Sequence, residues 1–460
     1  TCANVLCNAQ RVNGTTAFER VFMSQVPGPK DSIFMVAELL ANEPDFSLEE
    51  VEANVQAAVD EHPRLRQILT ADGLWEDVVV DIPANHLRWI DEVPGKPDPG
   101  EPMVEEGSEL LHALANMPAF QDSDGYTPRW QVIVMKRKLV FDIHHAAVDG
   151  VGIAMIAGTL LFGKHLEETV QTMAADPAKS ASARPQPGSC DRVGQACCGL
   201  KSFCRHLSTP AEGLFCAKPQ SAISNPASEA DVKDIRYLHL GPYPLDALKS
   251  AARSSGVTIN STLLSALTAG LQDYCAAHDG HAPAALSVAV PVSFKQPNPE
   301  NPDSMKANND FSTMVVSLPT SGHSEEEDSD NETSLLQLNP ADWSGGNALG
   351  AWAAQAALSL LPMWAVRWIV HNSSRIVSFI FSNVNGSAFG DTFVSRSTGV
   401  RKRIRAYAYG SLNGTVRVFL LANSHGQDLH LGLTVDKAVV ADRQQLATCL
   451  HRRLLSVCHL

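Results

Sequence analysis

Residues 144–150, HHAAVDG, join an apolar, β-like run at 138–143 to an apolar, helix-like run at 151–162. This change of pattern predicts a strand, a turn and a helix in that order. A strand that ends in His144 and His145 holds an imidazole at the edge of a sheet, on a rigid backbone. The stretch therefore predicts a sheet-based fold with a fixed histidine at its edge.

His145 is the candidate catalytic residue of this turn. Neutral imidazole can take a proton near pH 7, so a fixed one can serve as a general base towards a hydroxyl or an amine. The alternative is a buried histidine whose hydrogen bonds are made by the main chain. We interpret His144 as a supporting, structural residue. Asp149 can anchor the loop through an ion pair or hydrogen bonds, and Gly150 gives a tight exit into the helix.

Length and composition indicate a soluble, globular protein with two or three domains. The chain has 460 residues, of which 44% are hydrophobic and 19% are charged, and its formal net charge is −14. This charge argues against nucleic acid as a partner and against a broad electrostatic grip on anionic lipid. Local basic patches such as 401–405, RKRIR, remain candidate phosphate contacts. Ten cysteines are too sparse for a disulfide framework, so we expect a reducing, cytoplasmic location.

Local patterns organise the chain into two lobes. Ser47 followed by Glu50 is typical of a helix start, and a hairpin predicted at 130–143 leads into the two histidines. Residues 167–229 are rich in Pro, Ser, Ala and Gly and are interpreted as a linker. Strands are then predicted at 235–240 and 285–292, and helices at 245–254 and 261–278. The predicted units are an N-terminal lobe at 1–165, a crossover linker at 166–230 and a C-terminal lobe at 231–460, both lobes being mixed α/β.

The pattern His-His-x-x-x-Asp-Gly resembles the signature of the acyl-CoA-dependent acyltransferase and condensation-domain superfamily. Further segments, in order, are similar to motifs of one branch, the bifunctional wax ester synthase/diacylglycerol acyltransferases, from about residue 60 to 445. They are Thr127-Pro128-Arg129-Trp130, 256–264 (GVTINSTLL), 290–295 (VPVSFK), 309–320 (NDFSTMVVSLPT), Ser382-Asn383-Val384-Asn385-Gly386 and 432–442 (GLTVDKAVVAD).

Three departures from that family's motifs mark a divergent member. Arg129 stands where the family has leucine, Ser261 replaces an aspartate, and Asn385 replaces a proline. These changes suggest a different acceptor preference. The chain also lacks an Asp-Phe-Gly-Trp-Gly segment, which disfavours the plant-type relatives that modify secondary metabolites.

The resemblance implies a two-lobed, chloramphenicol-acetyltransferase-like pseudo-dimer, with an active-site tunnel at the lobe interface that reaches His145. It also implies an acyl-CoA-dependent O-acyltransferase that esterifies a long-chain alcohol or diacylglycerol to wax ester or triacylglycerol. Acyl-CoA is then a co-substrate and no cofactor is expected. Two alternatives stay open: transfer to another acceptor, such as a polyketide alcohol, sterol or amine, and a non-catalytic member of the fold.

Four more residues are candidates for the site. Asn309 and Ser312 are candidates for binding substrate and stabilising the oxyanion, and Ser382 and Asn383 for binding substrate. No metal site is predicted, because neighbouring strand histidines point to opposite faces and the cysteines at 190–216 lack zinc spacing.

The uncharged stretch 348–366 is about long enough to span a bilayer, but its alanines and Pro362 make it only weakly apolar. We interpret it as non-spanning. Because a hydrophobic acceptor must be met at a lipid surface, and because Trp352, Trp364 and Trp368 suit an interface, we expect peripheral association. The surface would be a membrane, that of the endoplasmic reticulum in a eukaryote, or a lipid droplet.

Overall fold

The computed structural model describes residues 19, 32–69, 75–90, 108–116, 128–174, 211–212, 221–224, 234–293, 306–307, 309, 311–319, 361–386, 390–412 and 414–459. The strands are β1 Ser32–Leu39, β2 Gln67–Leu69, β3 Trp75–Asp77, β4 Leu87–Ile90, β5 Trp130–Met135, β6 Lys138–His144, β7 Ile235–Pro244, β8 Ala285–Ser293, β9 Phe311–Pro319, β10 Phe379–Asn385, β11 Thr392–Val394, β12 Arg401–Tyr409, β13 Val418–His425 and β14 Asp428–Asp436. The α-helices are α1 Leu48–Glu61, α2 Ser108–Asn116, α3 Gly150–Leu160, α4 Leu166–Ala174, α5 Leu245–Ser254, α6 Ile259–Asp279, α7 Met363–Ser374 and α8 Arg443–Val457.

Two six-stranded sheets organise the described residues. The first sheet has the strand order β11-β12-β1-β6-β5-β4, and the second has the order β7-β14-β13-β10-β8-β9. Most neighbours are antiparallel, but β4 pairs parallel with β5, and β10 pairs parallel with β8 and β13. The predicted mixed α/β class is therefore confirmed, and the hairpin of β5 and β6 lies where the sequence predicts it.

β11 and β12 cross from the second half of the chain into the first sheet. β12 pairs antiparallel with β1, so that Tyr409 lies opposite Phe34. The loop between β11 and β12 is held by α1, because Arg396 donates from its main-chain N to Asn54 Oδ1 at 2.8 Å and from Nη1 to Glu61 Oε1 at 2.7 Å. Residues 392–409, placed by sequence in the C-terminal lobe, thus complete the first sheet, which local pattern alone could not reveal.

Alternating side chains on β1 separate two cores. Ile33 and Met35 pack with the apolar faces of α1 and α3. Phe34 and Val36 point to the opposite face, where they join a cluster that includes Phe419 of β13. The two sheets therefore pack against each other through that second cluster, while α5, α6 and α8 cover the other face of the second sheet.

Helix starts follow capping chemistry. The predicted cap at Ser47 is confirmed, since its Oγ accepts from Glu50 N while Glu50 Oε2 accepts from Ser47 N at 2.9 Å. α6 begins earlier than the predicted 261, because Thr258 is the cap and its Oγ1 accepts from Ser261 N at 3.1 Å. Ser261, in place of the family's aspartate, hydrogen-bonds Thr258 Oγ1 through its hydroxyl at 2.9 Å.

Among the described helices, none has both the length and the apolar character needed to cross a bilayer. Residues 348–360 of the uncharged stretch lie outside the described residues. The same is true of most of the predicted linker, including its clustered cysteines, although its first residues form α4.

Candidate active site

The two histidines occupy the end of β6 and the turn that follows. His144 N donates to Arg129 O at 2.9 Å, which extends the β5–β6 pairing to the last strand residue. His144 Nδ1 then accepts from Ala146 N at 3.1 Å, and His144 O accepts from Ala147 N at 2.9 Å. His144 therefore shapes the turn, and of the two neighbouring histidines it is His145 that lines the cavity.

His145 has the protonation state that a general base needs. Burial lowers the pKa of His145 to about 4, and a smaller contribution from its own main chain opposes this. Nδ1 of the ring is buried in the protein. Nε2 is therefore the nitrogen that can take a proton from a molecule in the cavity. The ring centre lies 5.8 Å from that of Phe311 on β9, which gives the imidazole an apolar neighbour.

Asn309 holds the histidine turn from the second half of the chain. Its Nδ2 donates to His145 O at 2.6 Å and to Ala146 O at 2.8 Å, and the residue is fully buried. Because both amide protons are used on the main chain, Asn309 has none left for an oxyanion. The structure therefore gives it a positioning role, and its predicted contact with substrate stays a prediction.

Asp149 and Gly150 form the start of α3. Asp149 is buried and is the N-cap of the helix, with Oδ1 accepting from Gly152 N at 2.7 Å. A Cβ on Gly150 would approach Val384 Cγ2 at 3.2 Å, so glycine lets α3 lie close to β10. Glycine is needed at position 150 more for this close approach to β10 than for the predicted tight turn.

Replacing Asp149 by alanine is expected to lower the free energy of unfolding by about 1 kcal/mol, since α3 loses its cap. Asp149→Asn keeps a capping oxygen and should retain most of that stability. Urea unfolding measures both variants, and initial rates measure their activity. If Asp149→Asn unfolds like the parent but is inactive at every pH, Asp149 acts in the chemistry and not in the loop.

The cavity beside His145 has a volume of about 350 Å³ and a mostly apolar wall from both sheets and α3. Part of its apolar lining comes from β1, from α3 and the two residues after it, and from α4. These side chains are Ile33, Met35, Ile153, Ala154, Ala157, Leu161, Phe162 and Met173. α4, which supplies Met173, packs tightly on α3, because a Cβ on Gly158 would overlap the Thr169 side chain. This arrangement suits a long apolar ligand.

The remaining predicted site residues lie on β9 and β10. Ser382 and Asn383 line the cavity, and Asn383 Nδ2 donates to Asn260 Oδ1 at 2.6 Å at the start of α6. Ser312 is opposite Val292 in the β8–β9 pair, but its side chain lies outside the described set. Asn385, where the family has proline, accepts from Ser424 Oγ at 2.8 Å, and this contact was not foreseen.

The basic segment 401–405 is largely paired with acidic groups of this chain. Lys402 Nζ donates to Glu50 Oε2 at 2.6 Å, and Arg403 Nε to Glu43 Oε1 at 3.3 Å. Arg405 Nε lies 3.5 Å from Glu38 Oε2. These three side chains pair with carboxylates and hold β12 in place. The alternative of a phosphate contact at this segment is therefore not supported. Within the described residues, no group of three His, Cys, Asp or Glu side chains could hold a metal ion.

Comparison with known proteins gives a consistent set of similarities. The family model of the WS/DGAT C-terminal domain matches residues 343–457. A Mycobacterium tuberculosis protein named as a probable diacylglycerol O-acyltransferase is 24% identical over 364 residues, covering 74% of this chain and 73% of the relative.

Two solved structures share the fold. The wax ester synthase/diacylglycerol acyltransferase of Marinobacter aquaeolei VT8 has a TM-score of 0.56 at 15% identity, covering 96% of this chain and 99% of that chain. The starter condensation domain of rhizomide synthetase, solved with C8-CoA, has a TM-score of 0.55 at 14% identity, covering 97% and 93%. These similarities confirm the fold class predicted from the sequence.

Proposed function

The chain belongs to the wax ester synthase/diacylglycerol acyltransferase family, and on that premise we propose that it esterifies a long-chain alcohol or a diacylglycerol with a fatty acyl group from coenzyme A. Its family makes it an acyltransferase. The observation that carries the finer proposal is His145, a neutral base on the wall of a mostly apolar cavity.

In the proposed reaction, Nε2 of His145 takes the hydroxyl proton of the acceptor as its oxygen attacks the thioester carbonyl. The tetrahedral intermediate then expels the coenzyme A thiolate, and His145 returns the proton to its sulfur. The ester and the free thiol are the only products. No acyl-enzyme is needed, because both substrates can meet at His145. Asn309 supports this step by fixing the carbonyls of residues 145 and 146.

The apolar side chains that line the cavity along α3 support a fatty chain as ligand. From Gly150 to Leu161 the chain advances roughly 16 Å at the helical rise of 1.5 Å per residue. Cavity-lining apolar side chains occur along this whole length, starting at Val151 and ending at Leu161 and Phe162. A chain buried there gains about 0.8 kcal/mol per CH₂ group.

An acceptor panel tests the proposal. Purified protein is given palmitoyl-CoA with 1-hexadecanol, a diacylglycerol, a sterol or a long-chain amine, and the products are identified by mass spectrometry. Wax ester or triacylglycerol is the expected product. Product from the sterol or the amine alone would replace the proposed acceptor class, and no product with any acceptor would favour a non-catalytic member of the fold.

The pH profile should show the lowered pKa of His145. With a folded pKa of about 4 against an ordinary value near 6.5, the ring stays neutral and basic down to about pH 5. We therefore expect the acid limb of kcat/KM, measured with non-ionising acceptors, to have its midpoint near pH 4. A midpoint near 6.5 would mean that the base is a solvated group.

Fold stability must be followed over the same pH range. Burial also lowers the pKa of His239 and His430 to about 3 and that of His425 to about 4. Below pH 6.5 these histidines bind protons in the unfolded chain but stay neutral in the folded protein. The free energy of unfolding therefore falls as the pH falls. Circular dichroism at each pH separates this loss from the titration of His145.

We further propose that the protein binds peripherally to a membrane or lipid-droplet surface from the cytoplasmic side. Trp364 and Trp368 lie one turn apart on α7, with 74% and 49% of their surface exposed. Val366, between them, is buried and holds the other side of the helix. Amphipathic indole rings in this position suit the interface between lipid and water.

Replacing Trp364 and Trp368 by serine is expected to move the protein from the membrane to the soluble fraction, because the apolar contact is lost. Turnover of a short, water-soluble alcohol should stay largely intact. Trp89→Ser, at a partly exposed tryptophan on β4, is the matched control. Release of the parent by salt alone, in a protein of net charge −14, would contradict the apolar contact.

A further inference from the structure

Arg129 is an arginine with no charge partner beside the histidine turn. Within the described part of the chain, its side chain has neither an ion pair nor a hydrogen bond. The residue is half-buried, and burial lowers the pKa of its guanidinium. Arginine does not lose its proton in proteins, so the charge persists. A desolvated charge without a partner is costly, and a bound anion would offset that cost.

The main-chain position of Arg129 follows from its hydrogen bond to His144 at the end of β6. Ile33, Ile143 and Trp130 are cross-strand neighbours and pack on the α1 and α3 side of the first sheet. The next row contains Ser32 opposite His144, with Arg129 bonded to His144 through the main chain. Because side chains alternate along a strand, Ser32 and His144 face the second sheet, while Arg129 lies in the bend just before β5, where Trp130 N donates to Pro128 O at 3.0 Å.

Ser32 provides a second unpaired polar group, on the other side of β6 from Arg129. It is 2% exposed, and its Oγ has no hydrogen-bond partner. A buried hydroxyl is normally paired, so an unpaired hydroxyl opposite His144, together with the unpaired arginine, indicates a missing ligand. The acidic group on the same face of β6 as His144 is Asp142. Its carboxylate accepts from Gln131 Nε2 at 2.7 Å.

We propose that Arg129 binds a phosphate group of a substrate of the acyl transfer proposed above. The planar guanidinium fork matches phosphate geometry, and the main chain of Arg129 is bonded to the residue before His145. Two sources share this chemistry. One is the set of phosphates on the coenzyme A of the donor, and the other is a phosphate on a lipid alcohol acceptor.

The test compares R129L and R129K with R253L, which removes an exposed arginine on α5 and controls for the change in net charge. Calorimetry measures coenzyme A binding without any turnover. Initial rates then compare palmitoyl-CoA with palmitoyl-N-acetylcysteamine, a thioester without phosphates, and lysophosphatidic acid with monoacylglycerol as acceptors. Melting temperatures show whether each variant is folded. If R129L does not fold, R129K, which retains the positive charge, takes its place in the comparison.

If the donor supplies the phosphate, R129L weakens coenzyme A binding and raises the KM for palmitoyl-CoA on the order of tenfold to hundredfold, with kcat and the phosphate-free thioester unaffected. If the acceptor supplies it, the loss is confined to lysophosphatidic acid. R129K keeps part of the affinity, and R253L behaves like the parent. Unchanged affinity for both phosphate ligands in R129L would overturn the site. Coenzyme A binding that depends on Arg129, in a protein that forms no ester, would instead overturn the proposed function and leave the site standing.

Discussion

Replacing His145 by alanine is expected to lower kcat for ester formation by at least ~10²-fold, because removal of a general base commonly costs that much. Nε2 of this ring is the proton acceptor in the proposed reaction, and its low pKa keeps it neutral at the working pH. Initial rates with palmitoyl-CoA and the preferred acceptor measure the loss.

Two controls accompany the His145 variant. Its melting temperature should match that of the parent, since the main-chain contacts of the turn from Asn309 do not involve the imidazole. His144→Ala should show a milder loss, because its Nδ1 contact to Ala146 N shapes the turn but does not touch substrate. Near-normal turnover in folded His145→Ala would remove the catalytic assignment.

Replacing Asp436 by alanine is expected to lower the free energy of unfolding by about 3–5 kcal/mol, because it removes the carboxylate that faces a buried cation. Arg417 and Asp436 are both almost fully buried, with Nη1 and Oδ2 3.3 Å apart. Asp436 Oδ1 also accepts from Asp234 N and Ala438 N, which ties the start of β7 to the end of β14.

Urea unfolding measures this cost. Asp246→Ala, which breaks an exposed pair with Lys249, is the matched control and should change stability by less than about 1 kcal/mol. Replacing Arg417 and Asp436 together by methionine and leucine should recover much of the loss, since no charge is then left buried at these two positions. A cost for Asp436→Ala no larger than that for Asp246→Ala would show that the ion pair carries little stability.

Local features of the fold could be predicted because they depend on neighbours in sequence. The strand before His144, the helix after Gly150 and the cap at Ser47 follow from apolar period and capping chemistry. The entry of β12 into the first sheet depends on pairing with β1, hundreds of residues away. Nothing in the alternation of Arg401–Tyr409 specifies which sheet it joins.

The same distinction applies to the site. His145 could be predicted because its motif is continuous and its chemistry needs one ring. The role of Asn309 could not, because an amide that clamps carbonyls 164 and 163 residues away has the same local sequence as one that binds substrate. Lys402 looked available for phosphate, and only the fold brings Glu50 to it.

The most direct test of the proposed acyl transfer is thiol release from palmitoyl-CoA by the purified protein, with and without acceptor. Thiol and ester should form in equal amounts, and only when a long-chain alcohol or diacylglycerol is present, because the acceptor hydroxyl is the nucleophile that His145 activates. Absence of both products with either acceptor would contradict the account. Equally, a burst of thiol without acceptor would show an acyl-enzyme and contradict direct transfer.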